Sequence, residues 1–258
     1  MNQRTETDPI APMVSLLERD NTLLLQDLEH KASLIEKTID TLLPLPAGKS
    51  SRLFEAMRYA TLGGGKRLRG YLVLSTAQLF DVPMERALRV AASVEMLHAY
   101  SLVHDDLPAM DNDEYRRGKK TTWVAYGEDM AILAGDGLLN YAFETALKAF
   151  GKADPLKVAE CLKILAGKAG IYGMIGGQVV DVESEEKKID METLLFIHRN
   201  KTSALIQSSM MIGAVLAGAS EDEVAKIEKI GEDIGLAFQI QDDILDVTSS
   251  LEVLGKPV

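Results

Sequence analysis

The sequence predicts an all-α fold, a single-domain helical bundle over residues 1–258. Aromatic residues make up only 5% of the chain, and the alternation of β-branched residues that is typical of strands is scarce. Hydrophobic residues reach 47% and charged residues 26%, which is ordinary for a folded protein. A chain of 258 residues is long enough to bury one large core.

Helix breakers divide the chain into elements. Pro44 ends the first helix, the run Gly63–Gly65 ends the second, and Pro83 closes the third. The fourth must stop before Pro108, because a residue that precedes proline disfavours the α region. A charged loop follows over 111–122. The predicted helices cover 15–40, 51–62, 69–80, 84–107, 127–150, 155–175, 191–200, 202–218 and 221–247. Several are apolar nearly all round, which predicts a bundle around a deep apolar cavity.

Charge and cysteine content narrow the function classes. A net charge of −11 argues against a nucleic-acid partner, which needs a basic surface. The single Cys161 cannot form an internal disulfide, so we expect a cytoplasmic protein, and the charged first residues indicate no signal peptide. The uncharged stretch Thr202–Ser220 carries several polar residues, which predicts a buried core helix rather than membrane insertion.

The first acidic cluster is Asp105, Asp106 and Asp111 around Pro108. In a continuous helix Asp111 would lie off the face of Asp105, but a bulge that loops out two residues would return it. His98 lies seven residues before Asp105, two turns along the same face and about 10 Å away. The cluster therefore predicts two carboxylates on one face, with a histidine below them.

The second acidic cluster is Asp242 and Asp246, which share a helix face at i and i+4. Apolar neighbours predict that this face points inward, where carboxylates need a cationic partner. Clustered carboxylate oxygens suit Mg²⁺, which binds few carboxylates together with waters and substrate phosphates.

Basic residues accompany both clusters, and this pattern favours a diphosphate held through metal ions. These residues are Lys66, Arg69, Arg116, Arg117, Lys201 and Lys256.

These motifs resemble those of the short-chain trans-isoprenyl diphosphate synthases of the polyprenyl synthetase family, most closely the bacterial-type farnesyl diphosphate synthases. The similar segments run in the family's order from about residue 60 to the end of the chain. They are Gly64–Arg69, Glu95–His98, Asp105-Asp106-x4-Asp111 with Arg116-Arg117-Gly118, Ala131–Asp136, Gly176-Gly177-Gln178-x2-Asp181, Lys201-Thr202 and Gln241-Asp242-Asp243-x2-Asp246.

The resemblance implies the condensation of an allylic diphosphate with isopentenyl diphosphate. It places Mg²⁺, expected as three ions, on Asp105, Asp111 and Asp242, with Asp106 and Asp246 in support. It places Arg116, Lys201 and Lys256 on the allylic diphosphate, and Lys66, Arg69, His98 and Arg117 on isopentenyl diphosphate. Oxygen dipoles of Lys201, Thr202 and Gln241 would stabilise the allylic cation. A cytoplasmic homodimer is expected.

The resemblance also bears on product length. Bulk at the fourth and fifth residues before the first aspartate limits elongation in the family, and these are Ser101 and Tyr100 here. The aromatic residue favours a C15 product, farnesyl diphosphate.

The chain departs from the family's pattern in two places. Gly70 stands where the family usually has proline. The family also continues for about forty residues beyond Pro257, so we expect a domain that lacks that tail.

Other functions remain as alternatives. A geranylgeranyl diphosphate (C20) synthase differs only in the cavity floor, and a non-catalytic regulatory subunit would typically lose one acidic cluster. A terpene cyclase would carry a different second metal motif. Glu95-x-x-His98 also matches the di-iron carboxylate motif, but His30, His104 and His198 lack the glutamate that a second copy needs.

Overall fold

The computed structural model describes residues 11–150 and 155–248, with the side chains of all of these except 11–20, 150 and 246–247. Within these residues the fold is all-α, as predicted. The helices are α1 Ala11–Leu42, α2 Ser51–Thr61, α3 Leu68–Leu79, α4 Met84–Asp105, α5 Thr122–Tyr126, α6 Glu128–Phe150, α7 Pro155–Ala169, α8 Met174–Ser184, α9 Met191–Ile197, α10 Ala204–Ala217 and α11 Glu221–Thr248. A 3₁₀ turn, Gly48–Ser50, precedes α2, and a π-helical stretch, His198–Ser203, joins α9 to α10.

Two buried helices organise the bundle. Helix α4 packs against α3 and α6, and α10 packs against α3, α7 and α11. Residues Ala204 to Leu216 of α10 are all buried, so the uncharged stretch is the predicted core helix. Gly218 ends α10 in the left-handed region at φ 86°. Its N–H donates to the Val215 carbonyl oxygen at 3.0 Å and the Ala219 N–H to that of Ala214 at 3.1 Å, as in a Schellman motif. In the described ranges, no helix is both long and apolar enough to cross a membrane.

One helix break and four short elements differ from the prediction. Residues 155–175 do not form one helix: α7 stops at Ala169, and a Cβ at Gly173 would collide with the carbonyl oxygen of Lys168. The charged loop holds a hairpin, β1 Tyr115–Arg116 paired with β2 Lys119–Lys120, although no strand was expected. Helices α5 and α8 were also not predicted as separate elements.

Candidate active site

Two carboxylates of the first acidic cluster meet at the end of α4. Asp105 is the last residue of α4, and the backbone N–H of Asp111 donates to the Asp105 carbonyl oxygen at 2.9 Å. A regular helix would make this bond four residues along, so the six-residue spacing loops out two residues. The bulge predicted around Pro108 is present.

Burial and mutual repulsion destabilise the ionised forms of Asp105 and Asp111. Burial raises the pKa of Asp105, although the ammonium group of Lys201 opposes the rise. Burial and the negative charge of Asp105 raise the pKa of Asp111 to about 6. Bringing a cation to the pair would relieve both effects.

Lys201 faces the pair from the π-helical stretch His198–Ser203, hereafter the π-segment. Its Nζ lies 2.5 Å from Oδ2 of Asp181 and 4.0 Å from Oδ2 of Asp105. Burial lowers the pKa of Lys201, but the two carboxylates outweigh burial and raise it overall, so the side chain is cationic. Gln178 donates its Nε2–H to Oδ1 of Asp105 at 2.5 Å. Helix α8 thus contributes Gln178 and Asp181 to the site.

Asp106 points away from the pair. Its carboxylate is buried and lies 2.6 Å from Nη2 of Arg116, which also lies 3.4 Å from Asp113. Burial lowers the pKa of Arg116, but the hydrogen bond to Asp106 raises it overall. In this conformation the guanidinium predicted to bind a diphosphate is held by two carboxylates.

A second, basic group of residues lies at the start of α3. Nη1 of Arg69 is 3.2 Å from Nε2 of His98, and Arg117 donates to the Gly64 carbonyl oxygen at 2.5 Å. Burial, followed by the charges of Arg69 and Arg117, lowers the pKa of His98 well below its ordinary value, so the imidazole is neutral and accepts from Arg69. Nε of Arg69 is buried with no hydrogen-bond partner among the described residues. Lys66 is exposed on the adjoining glycine turn. This excess of positive charge suits an anion.

Glu95 contacts the first turn of α3, next to these cationic side chains. Its Oε1 accepts the N–H of Gly70 at 2.8 Å, and its Oε2 lies 3.5 Å from Nη1 of Arg67. The glycine at this position therefore supplies a backbone donor that a proline would lack.

Helix α11 presents Gln239, Asp242 and Asp243 at i, i+3 and i+4, on one face. Asp242 lies close enough to Arg69 to raise the pKa of the guanidinium, although burial lowers it overall. The predicted Gln241 is exposed on the opposite face of α11. Gln239, two residues before Gln241, contacts Thr202 instead: its Oε1 accepts from Thr202 Oγ1 at 2.6 Å. The side chain of Asp246 and the whole of Lys256 lie outside the described residues.

The donor set fits Mg²⁺. Within the described part of the chain, no three His, Cys, Asp or Glu side chains converge into a complete metal cage. Asp105 and Asp111 offer hard oxygen ligands from one side, and Asp242 offers them from α11. Because Mg²⁺ is commonly held by one or two carboxylates together with waters and substrate phosphates, an incomplete cage is the arrangement it uses.

The two residues expected to limit product length lie on α4. Tyr100 is 5% exposed and packs edge-on against His104, with ring centroids 5.8 Å apart. Its hydroxyl is buried without a hydrogen-bond partner among the described residues. Ser101 donates its hydroxyl to the His98 carbonyl oxygen at 2.8 Å.

Five residues that had no role in the sequence analysis belong to the site: Gln178, Asp181, His198, Gln239 and Asp243. The first two are in a motif that the resemblance included, so their motif was itself a signal. The i, i+3, i+4 spacing from Gln239 was the available signal on α11. No signal in the sequence pointed to His198, whose Nε2 lies 3.1 Å from Oδ2 of Asp243 between the π-segment and α11.

A model of the polyprenyl synthetase family matches residues 50–258. A geranylgeranyl diphosphate synthase from Cyanophora paradoxa is 43% identical over 92% of the chain and 79% of its own length. A farnesyl diphosphate synthase from Geobacillus stearothermophilus is 44% identical over 80% of the chain and 70% of its own length. For the large subunit 1 of a chloroplastic heterodimeric geranylgeranyl pyrophosphate synthase from Arabidopsis thaliana, the identity is 44% over 88% of the chain, which spans 62% of that protein.

Solved structures are similar over the same range. The apo structure of an FPP/GFPP synthase from Zymomonas mobilis has a TM-score of 0.84 and 40% identity, covering 89% of this chain and 83% of its own. A geranyltransferase from Helicobacter pylori, solved with magnesium and isoprenyl diphosphate, has a TM-score of 0.78 and 34% identity, covering 90% and 79%.

Proposed function

The chain belongs to the polyprenyl synthetase family, and from this premise we propose that it is a Mg²⁺-dependent farnesyl diphosphate synthase. It would condense dimethylallyl or geranyl diphosphate with isopentenyl diphosphate. The observation that carries the proposal is the Asp105–Asp111 pair, whose repulsion calls for a cation and which Lys201 faces across the site.

The allylic diphosphate would bind between the first acidic cluster and α11. Asp105, Asp111 and Asp242, with Asp106 and Asp246 in support, would hold Mg²⁺, for which we propose three ions. Bound there, Mg²⁺ would neutralise the charge that develops on the departing diphosphate. Lys201 would add its own charge on moving from Asp181 to the diphosphate, and we propose Arg116 and Lys256 as further contacts.

The allylic cation needs negative dipoles and a dry cavity. Thr202 is 8% exposed and supplies a hydroxyl oxygen, and the Lys201 carbonyl supplies another dipole. We propose Gln239 rather than Gln241 as the third group, because Gln239 contacts Thr202 while Gln241 is exposed.

Isopentenyl diphosphate would bind at the basic group. Arg69, His98 and Arg117 would hold its diphosphate, with the exposed Lys66 closing over it. Its double bond would then attack the allylic cation to form the new carbon–carbon bond. The proton lost from the adjacent carbon would go to the departing diphosphate, so no protein nucleophile is required.

The division into two substrate sites has a direct test. Arg69→Gln should raise the KM for isopentenyl diphosphate at least tenfold with little change in the KM for geranyl diphosphate, since it removes a charge-assisted contact to one substrate only. Asp242→Asn should show the opposite selectivity and require more Mg²⁺. Equal effects of each variant on both substrates would contradict the division.

Product length is proposed as C15, with geranylgeranyl diphosphate as the second candidate because relatives carry both names. Tyr100 supports C15, since its bulky ring is buried within α4 five residues before Asp105. Tyr100→Ala should lengthen the product, because it removes the bulkier of the two side chains that are expected to limit elongation. An unchanged product from Tyr100→Ala would exclude the tyrosine as the cavity floor.

We further propose a cytoplasmic homodimer. The exposed side of α6 carries Ile132, Leu133 and Leu147, each about half exposed, which is an apolar surface that a second copy would cover. Sedimentation equilibrium of the purified protein would report the mass of the particle, and a monomer at micromolar concentration would contradict the proposal.

A further inference from the structure

A chain of polar contacts joins both ends of the π-segment to α11. His198 is 4% exposed, and its Nε2 lies 3.1 Å from Oδ2 of Asp243. Gln239 donates its Nε2–H to Oδ1 of the same carboxylate at 2.9 Å. Thr202 donates its hydroxyl to Oε1 of Gln239 at 2.6 Å. These contacts therefore run from His198, through Asp243 and Gln239, to the hydroxyl of Thr202.

The donor and acceptor atoms of these groups set the orientation of Gln239. Asp243 accepts the amide N–H of Gln239 on Oδ1, while its Oδ2 faces Nε2 of His198. The carbonyl oxygen of Gln239 is then left facing Thr202. Because the hydroxyl of Thr202 has one proton and gives it to Gln239, its lone pairs face away from Gln239.

The backbone of the π-segment is held independently of these bonds. A Cβ on Gly177 of α8 would collide with the backbone nitrogen of Lys201, and a Cβ on Gly235 of α11 would collide with Ser203. Helices α8 and α11 thus hold the segment from two sides at van der Waals distance. On this backbone, the hydrogen bond to Gln239 orients the hydroxyl of Thr202. π-helical turns of this kind are frequent at functional sites.

We propose that His198 is a positioning residue for the condensation. By anchoring Asp243 it fixes the amide of Gln239, and through Gln239 it turns the lone pairs of the Thr202 hydroxyl towards the developing allylic cation. Dipoles that are oriented before the reaction stabilise charge where it forms. The inference rests on the proposed function, and His198 itself touches neither substrate nor reacting atoms.

Two substitutions separate this role from simple packing. His198→Met keeps the volume of the side chain but has no donor, whereas His198→Gln can place an amide N–H where the ring Nε2–H lies. We expect His198→Met to lower kcat about tenfold, as the loss of an orienting group typically does, with unchanged KM for both substrates. His198→Gln should keep most of the wild-type kcat. Equal losses in the two variants would overturn the inference.

A double-mutant cycle tests whether the effect passes through Thr202. Thr202→Val keeps the shape of the side chain and removes the hydroxyl. In the Thr202→Val background, His198→Met should cause no further loss of kcat, because there is no hydroxyl left to orient. Losses that multiply would show that His198 acts elsewhere and would overturn the inference.

A binding measurement separates the failure of this inference from the failure of the proposed function. Isothermal titration calorimetry with an unreactive allylic thiolodiphosphate should give each variant the wild-type Kd. The contacts from His198 to Thr202 orient a hydroxyl towards the cation and do not touch the diphosphate. Weaker binding by His198→Met, together with a lower Tm, would assign His198 a purely structural role. Failure of the wild-type protein itself to condense any allylic primer would refute the proposed function, and with it the role of His198.

Discussion

Replacing Asp111 by asparagine should stabilise the free protein at neutral pH while removing its activity. Burial and the nearby Asp105 raise the pKa of Asp111 from its ordinary value of 3.8 to about 6. Two pKa units correspond to about 3 kcal/mol. Because the Asp111 side chain is more than a third exposed, solvent screening reduces the expected gain to about 1 kcal/mol.

The sign of the effect depends on pH. A carboxyl group whose pKa is raised by folding favours the folded state below its unfolded pKa, near 3.8, and that contribution is lost as the pH rises through about 6. The asparagine variant should therefore exceed the wild type in Tm at pH 7.5 by about 2–4 °C. At pH 2.5 the Tm difference should vanish, because the wild-type carboxyl is then almost fully protonated in both states.

Thermal unfolding followed by circular dichroism in EDTA would measure this difference. Glu114→Gln is the matched control, since it removes the same charge from an exposed position in the same loop and should leave Tm unchanged. Adding Mg²⁺ with an allylic diphosphate should stabilise the wild type but not Asp111→Asn. A variant that is less stable than the wild type at pH 7.5, or a gain that is the same at both pH values, would refute the reasoning.

Two further predictions concern the scaffold. Asp27→Asn should lower Tm at pH 7, because the hydrogen bond that Lys31 donates lowers the pKa of Asp27 and its carboxylate stabilises the fold above the unfolded pKa of 3.8. This contribution is lost as the pH falls through the lowered folded pKa, so the Tm difference should shrink below pH 3.8, and a difference that does not shrink would contradict the assignment. Gly135→Ala should destabilise the fold by about 1–3 kcal/mol because its Cβ would collide with the ring of His104, whereas Gly167→Ala, where nothing lies within 4 Å, should be neutral or stabilising in the same unfolding assay. Equal effects of the two glycine substitutions would contradict the predicted collision.

The parts of the site that sequence reasoning predicted follow from local rules. The return of Asp111 to Asp105 depends on a proline and a spacing of six residues, and both are visible in the sequence. The burial of α10 follows in the same way from the absence of charge between Thr202 and Ser220. Helix boundaries at proline and glycine were predicted to within a few residues for the long helices.

The parts that sequence reasoning missed depend on contacts between distant elements. Gln241 adjoins the acidic run in sequence, but helical periodicity turns it outward and brings Gln239 to Thr202. The two-residue strands of the hairpin are too short to show an alternating pattern. Trp123 and Thr121 both donate to the Asp113 carbonyl oxygen, so the loop and α5 are set by contacts that no periodicity reveals.

The most direct test of the account is the identity of the product. The purified protein, incubated with Mg²⁺, isopentenyl diphosphate and dimethylallyl diphosphate, should release a C15 diphosphate, identified by mass spectrometry after dephosphorylation, and EDTA should abolish its formation. A C20 product would keep the condensation and exclude Tyr100 as the limit to chain length. A folded protein that condenses neither dimethylallyl nor geranyl diphosphate with isopentenyl diphosphate would contradict the central claim and favour a non-catalytic subunit.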